Sequence, residues 1–582
     1  MKKQFGAAVK RSFDRALGYV LVAGLATGLV WGAGAAAAQE NPQTAPPGQT
    51  PAAPAKPGLQ KRPSQSSGQS AAQSSGQDSA DTKKPEKRIT PDEAKELFAL
   101  VDQLMQFSSE ETGLPVKSQV KRQLTSRAEV ESYLKEKFDE DESAKRMQRG
   151  EIVLKKFGLL DHDFDLKPFL LDLLKEQIEA YYDSKTKTVN MLDWVDVEEQ
   201  KPVLAHELTH ALQDQHVDLE KWGDQTPDEV STDYKDDIDH LSKDEMDTAR
   251  EAVTEGQATA VMMDNILKPM GKSLIKDPEV VEYIKHQMVG TSDSPVMARA
   301  PLLLSESLLF PYREGLSFVQ DVWMDKGQGQ AFAGALDRPP SSTWEIINPR
   351  EFEKAKIPMV PLMPDIHPLL DKVYKPYDIG QVGELDLHIL TQLFGGESAA
   401  RDLTPAWDGG IYWAGQRLSA KTPAEQASTK SISLFYLSAW KSNEAATAFA
   451  QLYAKSLGRK YSGLKKDVAA QRTLPAEAPS GTVEQVFTTD EGPVTITTRG
   501  KLVMVAESFD LPMARKLTQM VLDAQGTGDM RQARMIKPVL PGAPDRGMRT
   551  LSGGFVKLFA ESGVMKAAVA PAVRLAAPST PF

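Results

Sequence analysis

His206-Glu207-Leu208-Thr209-His210 is the stretch of this chain whose residue types and spacing best suit chemistry. On an α-helix, positions i and i+4 lie on one face, so both imidazoles can place a ring nitrogen on a single ion. Glu207 sits one position round, where its carboxylate reaches the open side of that ion. There it can accept a proton from water and later return it to a leaving amine. Zinc suits two imidazoles plus one carboxylate, with water in the fourth position. Val203-Leu204-Ala205 and Ala211-Leu212 flank the motif with apolar residues at helical spacing. Chance gives an H-E-x-x-H in a chain of this composition about once in a hundred, so the pattern is informative.

Three residues compete as the third ligand. His216 lies six residues beyond His210, as in H-E-x-x-H-x-x-G-x-x-H. In that longer motif Gly ends the helix sharply so that the last His can swing back. Here Gln213 holds the Gly position and favours a continuing helix, which would turn His216 off the metal face. Glu255 lies in Glu251-Ala252-Val253-Thr254-Glu255-Gly256-Gln257-Ala258-Thr259, on a second helical stretch that could pack behind the first. A Glu on an apolar helical face is costly unless paired or ligated. Glu251, one turn earlier on the same face, is the alternative ligand, or a hydrogen-bond partner of a ligating His.

The composition narrows these choices. The chain has 582 residues, 41% of them hydrophobic, no cysteine and eight His. Thiolate zinc sites, disulfides and cysteine nucleophiles are therefore excluded. Asp plus Glu number 80 against 69 Lys plus Arg, a net charge of −11. No basic surplus marks a nucleic-acid partner.

The elements that must position the motif follow from the pattern. Thr90-Pro91-Asp92-Glu93 reads as a capping box opening a helix with apolar positions Ala94, Leu97, Phe98, Val101, Leu104 and Met105. Residues 126–158 read as charged helix. Ile178–Tyr182 and Thr188–Leu192 alternate as strands around the turn Asp183–Thr186, a hairpin just before the motif. Helices are expected at 196–215 and 244–266, mainly helix over 278–337, and irregular Pro-rich chain over 338–380. Beyond 381, strands are expected at Ile411–Trp413, Ile432–Leu437, Val494–Thr498 and Leu502–Ala506, with helices at 442–457 and 511–524.

The expected fold class is α+β, in five segments. Residues 1–38 read as a signal peptide, or an uncleaved anchor: a basic start, an uncharged run over 16–35, and Ala36-Ala37-Ala38 before Gln39. Lys10-Arg11-Ser12-Phe13 resembles a twin-arginine signal with Lys in the first place. Residues 39–88, rich in Pro, Ser, Gln and Ala, read as a disordered linker. Residues 89–380 form a mainly helical domain with the small hairpin, 381–540 a smaller α+β accessory domain, and 541–582 a low-complexity tail. The body is thus expected outside the cytoplasm, periplasmic or secreted, with no membrane contact beyond the signal or anchor.

Hairpin, H-E-x-x-H helix and a later helix carrying Glu together resemble the zincin metallopeptidases of the Glu-zincin type. Ala205-His206-Glu207-Leu208-Thr209-His210-Ala211-Leu212-Gln213-Asp214-Gln215 and Glu255-Gly256-Gln257-Ala258-Thr259 resemble a group of bacterial exported proteins of this type. Pro311-Tyr312-Arg313-Glu314-Gly315 and Pro339-Pro340-Ser341-Ser342-Thr343 extend the likeness, which covers roughly residues 90–410. The resemblance implies one zinc ion on His206, His210 and Glu255, Glu207 as general base, and a peptide or protein substrate. It departs from the thermolysin-like pattern in the long separation of Glu255 from His210, and in Thr259, which stands where an Asp usually orients a ligating His. In zincins a strand before the metal helix lines the cleft, so 176–182 or 188–192 could pair with a peptide backbone.

Hydrolysis also needs a donor for the developing oxyanion. Tyr312, expected beside Pro311 at a helix start, is preferred over Arg313, His240 and His286. The acidic residues 217–247, including Asp233–Asp239, suggest either a solvated loop or a structural Ca2+ site. Two other functions fit the same residues: an inactive zincin-like envelope binding module, and a metal-dependent hydrolase of a non-peptide bond.

Overall fold

Thr90 opens the first helix through a reciprocal cap: the Thr90 hydroxyl accepts from Glu93 N–H, and the Glu93 carboxylate accepts from Thr90 N–H. This helix, α1 (Pro91–Thr112), buries Leu97, Val101, Leu104 and Met105. The computed structural model describes residues 88–140, 142–222, 230–288, 294–356, 358–471, 481–526 and 551–562. All lie in the compact unit Lys87–Phe582. The expected signal or anchor, and the linker up to Lys87, fall outside the described residues. No helix among the described residues is long and apolar enough to cross a membrane.

After α1 come β1 (Lys121–Thr125), α2 (Arg127–Glu140), α3 (Glu142–Phe157), α4 (Leu166–Gln177), β2 (Ala180–Asp183) and β3 (Thr188–Leu192). The hairpin turn forms because the Asp183 carboxylate accepts from Lys185 N–H and from the Thr186 hydroxyl. β3 is central in a three-stranded sheet, parallel to β1 and antiparallel to β2. The helices that follow are α5 (Val197–Val217), α6 (Tyr234–Lys243), α7 (Met246–Leu267), α8 (Glu279–Met288) and α9 (Leu302–Lys326).

The second sheet contains β4 (Tyr374–Gln381), β5 (Trp407–Arg417), β6 (Ile432–Trp440), β7 (Lys465–Lys466), β8 (Thr482–Thr489), β9 (Gly492–Arg499) and β10 (Leu502–Glu507). It is antiparallel throughout, in the order β4-β5-β6-β10-β9-β8-β7. Helices α10 (Glu384–Leu403), α11 (Asn443–Lys460) and α12 (Leu511–Ala524) join or cover its strands. The fold is thus α+β with a large antiparallel sheet.

Three local expectations change. The sheet begins at Tyr374, inside the stretch expected to be irregular. Pro376 is tolerated because β4 is an edge strand and its register with β5 shifts between Pro376 and Asp378. Pro311 does not start a helix but lies inside α9, where buried Leu308, Leu309, Phe310 and Leu316 hold the helix together around it. Within the expected low-complexity tail, α13 (Gly553–Glu561) is a packed helix: Phe555, Val556 and Phe559 are buried against α9, α7 and α3. Its i, i+1, i+4 apolar spacing makes the stripe that the flanking Ala and Pro obscure.

The core is continuous from α1 to the large sheet. Phe157 at the end of α3 sets its ring edge-on to Tyr412, centroids 5.2 Å apart. Lys156 beside it is buried and donates to Glu491 and Ser508, each at 2.6 Å. A buried ammonium requires such partners.

Candidate metal centre

Helix α5 carries the H-E-x-x-H motif and is fixed to the hairpin at both ends. Near its start, Gln200 brackets Leu192 of β3, accepting from its N–H and donating to its carbonyl, both at 2.9 Å. Near its end, Asp214 accepts from the Tyr182 hydroxyl and from Lys187, both at 2.7 Å. These anchors hold β2 alongside the middle of α5, where the Tyr182 backbone N–H meets the Glu207 carboxylate.

Helix α7 packs behind α5, with 17 of its 22 residues buried. It brings Glu255 to the two imidazoles. His206 Nε2 lies 2.9 Å from His210 Nε2 and 3.0 Å from Glu255 Oε2, and His210 Nε2 lies 3.5 Å from Glu255 Oε1. Among the described residues, these three form the group of His and carboxylate atoms that could hold a metal. Metal–ligand bonds of 2.0–2.1 Å in a tetrahedron set ligand atoms about 3.3 Å apart. The observed spacings match that edge to within a few tenths of an ångström, so the residues fit zinc.

The charges fit as well. Burial alone would raise the Glu255 carboxyl, but the adjacent His210 charge and hydrogen bonds from both rings hold it down at about 2. Burial lowers His206 to about 4. Burial opposes charge on His210 too, yet the Glu255 and Glu207 carboxylates raise it to about 9. Without an ion the cluster thus holds one proton, on His210 against the Glu255 carboxylate, and an ion bound there would take that proton's place. Burial raises Glu207 to about 7, and its Oε1 is buried without a hydrogen-bond partner.

Tyr312 comes from α9. It is fully buried, with its ring centroid 6.2 Å from that of His206. Burial, then the Glu255 and Glu207 carboxylates, push its phenol well above the ordinary value, so it stays a neutral donor. Its hydroxyl has no hydrogen-bond partner of good geometry.

The other sequence candidates lie elsewhere. His216 Nε2 pairs with Asp337 at 2.9 Å. Glu251 is half-buried one turn before Glu255 and outside the ligand group. His240 lies 3.6 Å from Asp244, Arg313 pairs with Glu306 at 2.7 Å, and His286 is exposed on α8. In the acidic stretch, Asp237 is buried against His367 at 3.2 Å, and no second metal-holding group occurs among the described residues. Between the two strands proposed to line a cleft, β3 is paired on both sides and β2 is an edge strand.

Sequence reading missed the partner of His210. Its Nδ1 lies 2.9 Å from Gln213 Oε1. The signal was present, since i and i+3 share a helix face, but Gln213 read only as a residue that continues the helix. No protein-family model, curated protein or solved structure matches the chain.

Proposed function

We propose that this chain is a zinc-dependent peptidase of the Glu-zincin type, exported from the cytoplasm and acting on extended peptide segments. The observation that carries the reading is the convergence of His206, His210 and Glu255, with the unpartnered Glu207 oxygen beside them. When bound, zinc supplies Lewis acidity that polarises a carbonyl and acidifies water. Glu207 Oε1 takes the proton of the attacking water and returns it to the leaving amine nitrogen. The Tyr312 hydroxyl donates to the oxygen that gains charge in the transition state. Edge strand β2 offers main-chain groups to an extended peptide.

The test is hydrolysis of a broad peptide library by the zinc-loaded chain, with Glu207→Gln as control. Cleavage by wild type that the variant lacks supports the reading. Equal signals from both, or none from either, overturn it. Ester and glycan substrates run alongside separate a non-peptide hydrolase from a peptidase.

A further inference from the structure

Gln213 and Gln257 are both 0% exposed and link α5 to α7 and to the turn after α9. Gln257 Nε2 donates to the carbonyls of Ala331 and Phe332, at 2.8 and 3.0 Å. Those carbonyls belong to the π-helical turn Gln330–Gly334. Two acceptors at one end of the amide fix which end is nitrogen. Gln257 Oε1 must then face Gln213, and it accepts from Gln213 Nε2 at 2.9 Å. Gln213 Nε2 also donates to Thr254 O at 2.9 Å, which fixes the second amide the same way. Gln213 Oε1 is left facing His210 Nδ1. An amide oxygen only accepts, so Nδ1 keeps its proton whether the ring is charged or neutral, and Nε2, facing His206 and Glu255, is the nitrogen that gives up its proton to take an ion.

We propose that Gln213, oriented by Gln257, is a positioning residue that locks His210 in its metal-ligating tautomer. This inference rests on the metal reading above. The relay starts at backbone carbonyls outside the ligand helices, so it sets the ring before any ion arrives. A carboxylate in Gln213's place would keep the acceptor but lose the donor. It would then face two oxygens, those of Thr254 and Gln257. Zinc affinity and fold stability therefore respond differently to substitution here.

The test uses the full chain, purified metal-free, with zinc alone as ligand and chelator competition as readout. Gln213→Met, which keeps the size and removes the acceptor, is expected to bind zinc about 10–100-fold more weakly. Gln213→Glu is expected to bind within a few-fold of wild type or tighter, although its metal-free form melts at or below the temperature of Gln213→Met. A purely structural Gln213 would make affinity follow melting temperature, with Gln213→Glu the weaker binder. That order, or wild-type affinity in Gln213→Met, overturns the inference. Should Gln213→Met fail to fold, histidine-selective nitrogen NMR of the metal-free wild type, at a pH where the His210 ring is neutral, decides. A proton on His210 Nδ1 supports the relay, and a proton on Nε2 overturns it. A wild type that binds no zinc overturns the metal reading itself, and is distinguished by needing no variant.

Discussion

Gly256 and Gly315 meet backbone to backbone where α7 crosses α9. A Cβ on Gly256 would lie 2.3 Å from the Gly315 carbonyl, and one on Gly315 would lie 2.1 Å from the Ala252 oxygen. No real Cβ tolerates such distances, and backbone atoms cannot swing away as a side chain can. Glu255 adjoins the first glycine, and Tyr312 lies one turn before the second on the same face. The glycine pair therefore sets how closely the Glu255 carboxylate approaches the Tyr312 phenol.

Gly315→Ala is accordingly expected to destabilise the chain, although alanine improves helix propensity by about 1 kcal/mol. Overpacking costs about 1–3 kcal/mol or more when the neighbours cannot yield. A lower urea midpoint for the metal-free variant is the expected result. An unchanged or raised midpoint would mean the helices do not cross this closely.

Glu207→Gln keeps the size and the hydrogen bond to Tyr182 N–H but cannot take a proton. It is expected to lower kcat by about 100-fold to 10,000-fold while zinc content stays at wild-type level. Parallel kinetics and metal analysis check both halves.

Tyr312→Phe removes one hydroxyl and little else. If that hydroxyl meets the oxyanion, kcat falls about 100-fold or more while KM moves little. Wild-type kcat in a folded, zinc-loaded variant would assign the donor elsewhere.

Glu384 supplies a test of the fold that is independent of the metal. Burial raises its folded pKa to about 8, with only Asn348 bonding its carboxylate directly at 2.9 Å. Below its ordinary range both states hold the proton, and the group contributes nothing to pH dependence. As pH rises toward 8 the unfolded chain releases the proton while the folded chain keeps it, so stability falls. Glu384→Gln should gain on wild type by a few kcal/mol (about 1.4 per pKa unit) between pH 5 and 8. Urea unfolding at the two pH values measures the gap, and a constant gap would contradict the burial.

The H-E-x-x-H helix was legible because its evidence is local: two His at i and i+4 in apolar flanks specify both a helix and a face. Glu255 was legible as a carboxylate that an apolar face would otherwise not carry. Gln213 was legible only as an i+3 neighbour of His210; which end of its amide faces the ring depends on Gln257, 44 residues away. The Gly256–Gly315 contact and the passage of α9 through Pro311 also depend on neighbours that only the fold supplies. In the second half, β5, β6, β9 and β10 were each visible in part, as short apolar runs. β4 was hidden by its proline, and α13 by its Ala- and Pro-rich flanks.

Metal content, measured by native mass spectrometry of the purified full chain, tests the His206–His210–Glu255 centre most directly. One zinc per chain is predicted for wild type, Glu251→Ala and His216→Ala, and none retained by Glu255→Ala. Substoichiometric zinc in the wild type, or full zinc in Glu255→Ala, would contradict the centre described here.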